Sequence, residues 1–132
     1  MRPIRLKLEG FKGIFSGMGK ASIELNLKPL GEAQLVAITG PNGAGKTTVR
    51  DNLHPYRVMP SRSSAPTPGS FSYYDQIVDG QDGLKELDWE HGCKAYQPVI
   101  RMKVAGKTKK QEAYLFEMVG GESKPYQEDT GW

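Results

Sequence analysis

Sulfur and imidazole are scarce in this 132-residue sequence, which holds one cysteine, Cys93, and two histidines, His54 and His91. A lone thiol excludes an internal disulfide and any thiolate cluster built by one chain. An ordinary reduced thiol in a cytoplasmic protein is the expectation. The histidines lie far apart without ligand-spaced neighbours, so no zinc site is expected. No apolar run approaches the length a bilayer crossing needs, and Met1–Arg5 leads into an alternating pattern rather than a secretory signal. No membrane partner is expected, and no internal repeat is visible.

What is present fits one globular domain. Hydrophobic residues make up 37% and charged residues 25% of the chain, enough for a core and too ordered in composition for disorder. The net charge of +3 permits contact with nucleic acid without arguing for it.

Alternation marks the strands. Ile4, Leu6 and Leu8 face one way and Arg5, Lys7 and Glu9 the other, a half-buried strand. Glycines at 13, 17 and 19 then read as a flexible or tightly turned loop. Ile23, Leu25 and Leu27 give a second strand. Leu35-Val36-Ala37-Ile38 is too short for a helix and reads as a fully buried strand. Thr47–Tyr56 has the length of a short helix, with Pro55 near its end. These features divide the chain into residues 1–56, a serine- and proline-rich loop or insertion over 57–75, and strands over 84–119. In the last block Lys85–Glu90 is one strand, and Val99–Val104 and Ala113–Val119 form a hairpin around Gly106 and Lys107.

Gly40-Pro41-Asn42-Gly43-Ala44-Gly45-Lys46-Thr47 satisfies G-x-x-x-x-G-K-[ST], a phosphate-binding P-loop. Glycines let several backbone amides point inward on a phosphate, and the helix that follows adds the positive end of its dipole. Lys46 is suited to the β- and γ-phosphates and the Thr47 hydroxyl to Mg²⁺. A nucleoside triphosphate with a divalent metal ion is therefore the expected ligand. Hydrolysis needs more: a second carboxylate for the metal and a group to orient water. No apolar strand ending in Asp or Glu supplies them. Asp75 reads as a helix cap or surface residue, and Val119–Ser123 as a turn. The site looks like half of a catalytic machine.

Leu8-Glu9-Gly10-Phe11-Lys12, the loop through Thr48, and Asp51-Asn52-Leu53 together resemble the N-terminal part of the SMC/Rad50/SbcC ATPases. Asn42 makes the loop similar to their ABC-type version rather than to a generic one. The resemblance is strong to about residue 56 and architectural beyond it. The stretch ending in Tyr73-Tyr74-Asp75 looks more like SbcC-type proteins of phages or prophages. The fold class implied is α/β, of mixed α+β kind. It is the N-terminal lobe of an ABC-type ATPase head, with mixed or antiparallel strands and a P-loop followed by a helix, incomplete without a C-terminal segment.

That resemblance implies ATP and Mg²⁺ as cofactors, with Gly40–Thr48 on the nucleotide and Lys12 at a basic family position near it. A solvated turn lysine is the alternative for Lys12. The family's Q-loop glutamine is expected near or beyond the C-terminus, where Gln127 is the candidate; a solvated tail residue is its alternative. The implied partners are a second ATPase head, the missing C-terminal half, DNA and a nuclease subunit, in DNA repair, recombination or end processing. Arg101, Lys103, Lys107, Lys109 and Lys110 form a basic cluster on the hairpin. It either touches phosphates or simply protects a strand edge. A small P-loop kinase or nucleotide transferase and a non-catalytic nucleotide-binding module are the competing functions.

Overall fold

The computed structural model describes residues 1–57, 59 and 72–126. Most of the serine- and proline-rich stretch and Gln127 lie outside the described residues. Strand β1 (Arg2–Glu9) buries Ile4, Leu6 and Leu8 and turns Arg5, Lys7 and Glu9 to the other face, as its alternation requires. It pairs antiparallel with β2 (Ser22–Asn26), setting Leu6 opposite Leu25 and Leu8 opposite Ile23. On its other side β1 pairs with β3 (Gly83–His91), which continues through β4 (Lys94–Ala105), β5 (Thr108–Val119) and β6 (Glu122–Pro125). The six strands form one antiparallel sheet in the order β2-β1-β3-β4-β5-β6.

One face of that sheet makes the core. Leu6, Leu8, Leu87, Ile100 and Met102 are fully buried, with Phe11, Ile14, Tyr73 and Ile77 packed over them. Each large aliphatic side chain removed from water this way contributes about 1.5–3 kcal/mol. The opposite face is polar. There Arg5 donates to Asp88 at 2.9 Å, to Glu86 at 2.9 Å and to Glu24 at 3.2 Å. The Asp88 bond chiefly raises the guanidinium further above its ordinary value.

Four elements differ from the sequence reading. The glycines at 13 and 17 lie in a helix, α1 (Lys12–Met18), rather than in a loop, and Gly19 closes it by donating to the Phe15 carbonyl at 2.9 Å. The P-loop helix α2 (Lys46–Asn52) stops at Leu53, three residues before Tyr56. Leu35–Ile38 is neither a strand nor buried: Leu35 is 91% exposed, Val36 48% and Ile38 43%. Burial of such a run needs ladder partners on both sides, and none of the six strands pairs with it.

Strand β4 also begins earlier than Val99, because it continues through Pro98, which is fully buried. Proline has no N–H for a ladder, and the β3–β4 pairing passes from Glu86↔Val99 to Trp89↔Tyr96 across that point. The Gln97 side chain donates to Asp88 at 2.7 Å and ties the strands there instead. Two smaller readings hold. Asp75 accepts from the Ser72 amide in a capping box over a 3-10 turn, Tyr73–Gln76, and Gly120-Gly121 is the turn between β5 and β6.

Candidate nucleotide-binding site

The P-loop runs from Gly40 into α2, and Gly45 sits at the helix start with φ of 91°, a left-handed backbone that favours glycine. Lys46 Nζ donates to the Pro41 carbonyl at 2.7 Å and to the Gly40 carbonyl, folding back along its own loop. The amides of Asn42, Gly43, Gly45, Lys46 and Thr47 make no hydrogen bond to a described residue. Nor do the side chains of Asn42, Thr47 and Thr48, so donors converge here without protein acceptors. A cleft of about 360 Å³ opens on these groups, lined by Gly13, Ser16, Asn42, Gly43, Gly45, Lys46, Thr47 and Thr48. No carboxylate is among the lining residues. Unsatisfied amides, hydroxyls and one ammonium form a donor set that fits a polyphosphate.

Helix α1 is pressed against this loop more closely than any side chain would allow. A Cβ on Gly13 would stand 1.9 Å from Thr48 Oγ1, and one on Gly17 2.3 Å from the Gly43 carbonyl oxygen. Four residues apart on one helix face, the two glycines let the backbone of α1 wall the cleft. Sequence reasoning took them as turn signals; their i, i+4 spacing was the clue to a close helix contact.

The far end of α2 is held from below by buried polar groups. Asn52, fully buried, donates to the Thr48 carbonyl at 2.8 Å and to Gln76 Oε1 at 2.9 Å. Lys85, fully buried on β3, donates to the His54 carbonyl at 2.9 Å and to the Tyr73 hydroxyl at 3.1 Å, and lies 5.2 Å from the centre of the Tyr73 ring. Tyr73 in turn donates to the Tyr56 carbonyl at 2.8 Å. Burial pushes the Lys85 ammonium down to about 7 and raises the Tyr73 hydroxyl above its ordinary value. His54 falls to about 4, through burial first and the nearby Lys85 charge second. Asn52 and Tyr73 enter the sequence reading only through the family resemblance, His54 only as an isolated histidine and Lys85 only as the start of a strand; none is expected there in this buried network. Lys85 shares the strand parity of Leu87 and Trp89, and that placed it inward.

The other expected site residues are not gathered at the cleft. Lys12 opens α1 but meets Asp79 at 3.3 Å, and it is not a lining residue. The hairpin cluster is partly neutralised: Glu112 pairs with Lys103 at 3.3 Å and with Lys110 at 3.1 Å, bonds that hold its carboxyl below the usual range. Lys109 sits 5.6 Å over the Tyr74 ring, while Arg101 and Lys107 make no ion pair with a described residue.

One family model falls on this same part of the chain. The family described as "AAA domain" matches residues 5–54, the span that holds most of β1 and the whole of α1, β2, the P-loop and α2. Over 77 residues the sequence is 38% identical to the SbcC subunit of the SbcCD nuclease of Pseudomonas aeruginosa. Together these matches support an SbcC/SMC-like ATPase N-terminal segment. That match covers 58% of this chain and 6% of the Pseudomonas protein, so the chain spans a small part of the curated relative's length. Every residue lining the cleft lies within the span matched by the AAA-domain family. Among the described residues, no helix is long and apolar enough to cross a membrane.

Proposed function

We propose that this chain binds ATP with Mg²⁺ as the N-terminal part of an SbcC/SMC-like ATPase that acts on DNA. The observation that carries the reading is the cleft itself, where unsatisfied amides and hydroxyls converge beside Lys46 with no protein acceptor and no carboxylate. Lys46 would exchange the Gly40 and Pro41 carbonyls for β- and γ-phosphate oxygens, and the Thr47 hydroxyl would hold the metal. Bound Mg²⁺ supplies charge neutralisation between the terminal phosphates. Gly43, Gly45 and the start of α2 orient the phosphates through their amides.

Turnover requires groups this cleft does not contain, and we assign them to the remainder of a longer protein and to a second ATPase head. The exposed Leu35–Ile38 segment supports that assignment, because an exposed apolar run leading into a P-loop is suited to pairing with further strands. By itself the chain binds ATP weakly and does not hydrolyse it. The likeness to the SbcC component of a nuclease extends the reading to a nuclease partner and to DNA repair, recombination or end processing. Arg101 and Lys107 are the hairpin cations left for phosphate contacts.

Lys46→Ala tests the core of this reading. Removing a charge-assisted contact is expected to weaken Mg-ATP binding by about 10- to 100-fold in titration calorimetry, with the circular dichroism spectrum unchanged. Undiminished ATP affinity in the variant would defeat the assignment.

A further inference from the structure

Lys46 and Thr47 are committed by chemistry to the terminal phosphates and the metal. The cleft has a second wall that belongs to neither the loop nor α2. That wall is α1, and Ser16 is its only lining residue with a polar side chain. The Ser16 hydroxyl makes no hydrogen bond to a described residue. It is carried on a helix set close against the loop, because Gly13 and Gly17 let the helix backbone approach the Thr48 hydroxyl and the Gly43 carbonyl without a side chain between. Ile14, buried on the opposite side, anchors the same turn in the core.

From this arrangement we infer that Ser16 contacts the nucleotide on its α-phosphate and ribose side, making α1 part of the binding site. A serine hydroxyl both donates and accepts, so it can serve a phosphate oxygen or a ribose hydroxyl equally. The inference rests on the nucleotide reading given above and assigns one moiety of that ligand to one residue. It also gives the glycine spacing a purpose: a Cβ at position 17 would drive the helix, and Ser16 with it, off the loop.

Titration of the full chain with Mg-ATP and with Mg-tripolyphosphate, which lacks the nucleoside, tests the placement. Ser16→Ala, a substitution that favours the helix, is expected to weaken ATP binding about three- to tenfold while tripolyphosphate affinity changes by roughly twofold or less. Ser16→Thr, which keeps the hydroxyl, should retain the parent affinity for both ligands. Unchanged ATP affinity in Ser16→Ala would overturn the contact, and equal losses for both ligands would overturn its assignment to the nucleoside side. Failure of the parent chain to bind ATP at all would instead remove the nucleotide reading, and this inference with it.

Discussion

The sheet around β1 and the segment that leads into the P-loop are finished to different degrees. Toward β3 and β4 the sheet is closed: Leu6, Leu8, Leu87 and Ile100 are fully buried, and α1 and the Tyr73–Gln76 turn cover them. Toward the P-loop, Leu35, Val36 and Ile38 have the same apolar character but lie in water. Hydrophobicity alone therefore does not make a core; a segment also needs neighbours for its backbone donors and acceptors. The sheet side supplies rigidity, and the loop side presents unsatisfied groups for something else to complete.

The largest test of this contrast is Leu6→Ala on the closed side. It should cost about 2–5 kcal/mol of stability, read as a lowered midpoint in urea. A cost below about 1 kcal/mol would mean that the sheet side is no better packed than the loop side. Lys85 gives an intermediate effect with a defined sign. Its folded-state value near 7 lies below the ordinary lysine range, so between about pH 7 and 10 the unfolded chain binds a proton that the folded chain does not. Stability should therefore rise with pH across that window, and the burial penalty should be complete below it. Above about pH 10 the raised Tyr73 value works the other way. Lys85→Met should flatten the slope between about pH 7 and 9; a slope left intact would assign it to another group. The smallest effect is expected at Leu35→Ser. Folding stability should stay within about 0.5 kcal/mol, while light scattering should report less self-association. A loss comparable to that of Leu6→Ala would show that this segment is part of the fold after all.

The same contrast explains what could be read from the sequence. Strands β1, β2 and β3 were visible because one wet and one dry face leave a period of two. The P-loop was visible because its spacing is set by phosphate geometry, whatever surrounds it. Leu35–Ile38 was misread since composition reports a preference for burial but not whether a partner exists. Helix α1 was missed because glycine lowers helix propensity, and only the contact with Thr48 and Gly43 shows why glycine is there. The start of β4 was hidden behind Pro98, whose missing donor is offset by the Gln97–Asp88 bond. Lys85 and Asn52 look like surface residues by type; strand parity in one case and the Gln76 amide in the other bring them inside.

Two hydrogen bonds have a consequence for how this chain tolerates change. Tyr73 clips its hydroxyl to the Tyr56 carbonyl at 2.8 Å, and Gln111 reaches the Arg57 carbonyl at 3.0 Å. Both ends of the intervening stretch are thereby pinned to the sheet, independently of how many residues run between them. Tyr56, Arg57 and Tyr73 thus hold their places through bonds of their own, and the setting of the phosphate loop does not hang on the sequence that joins Arg57 to Ser72.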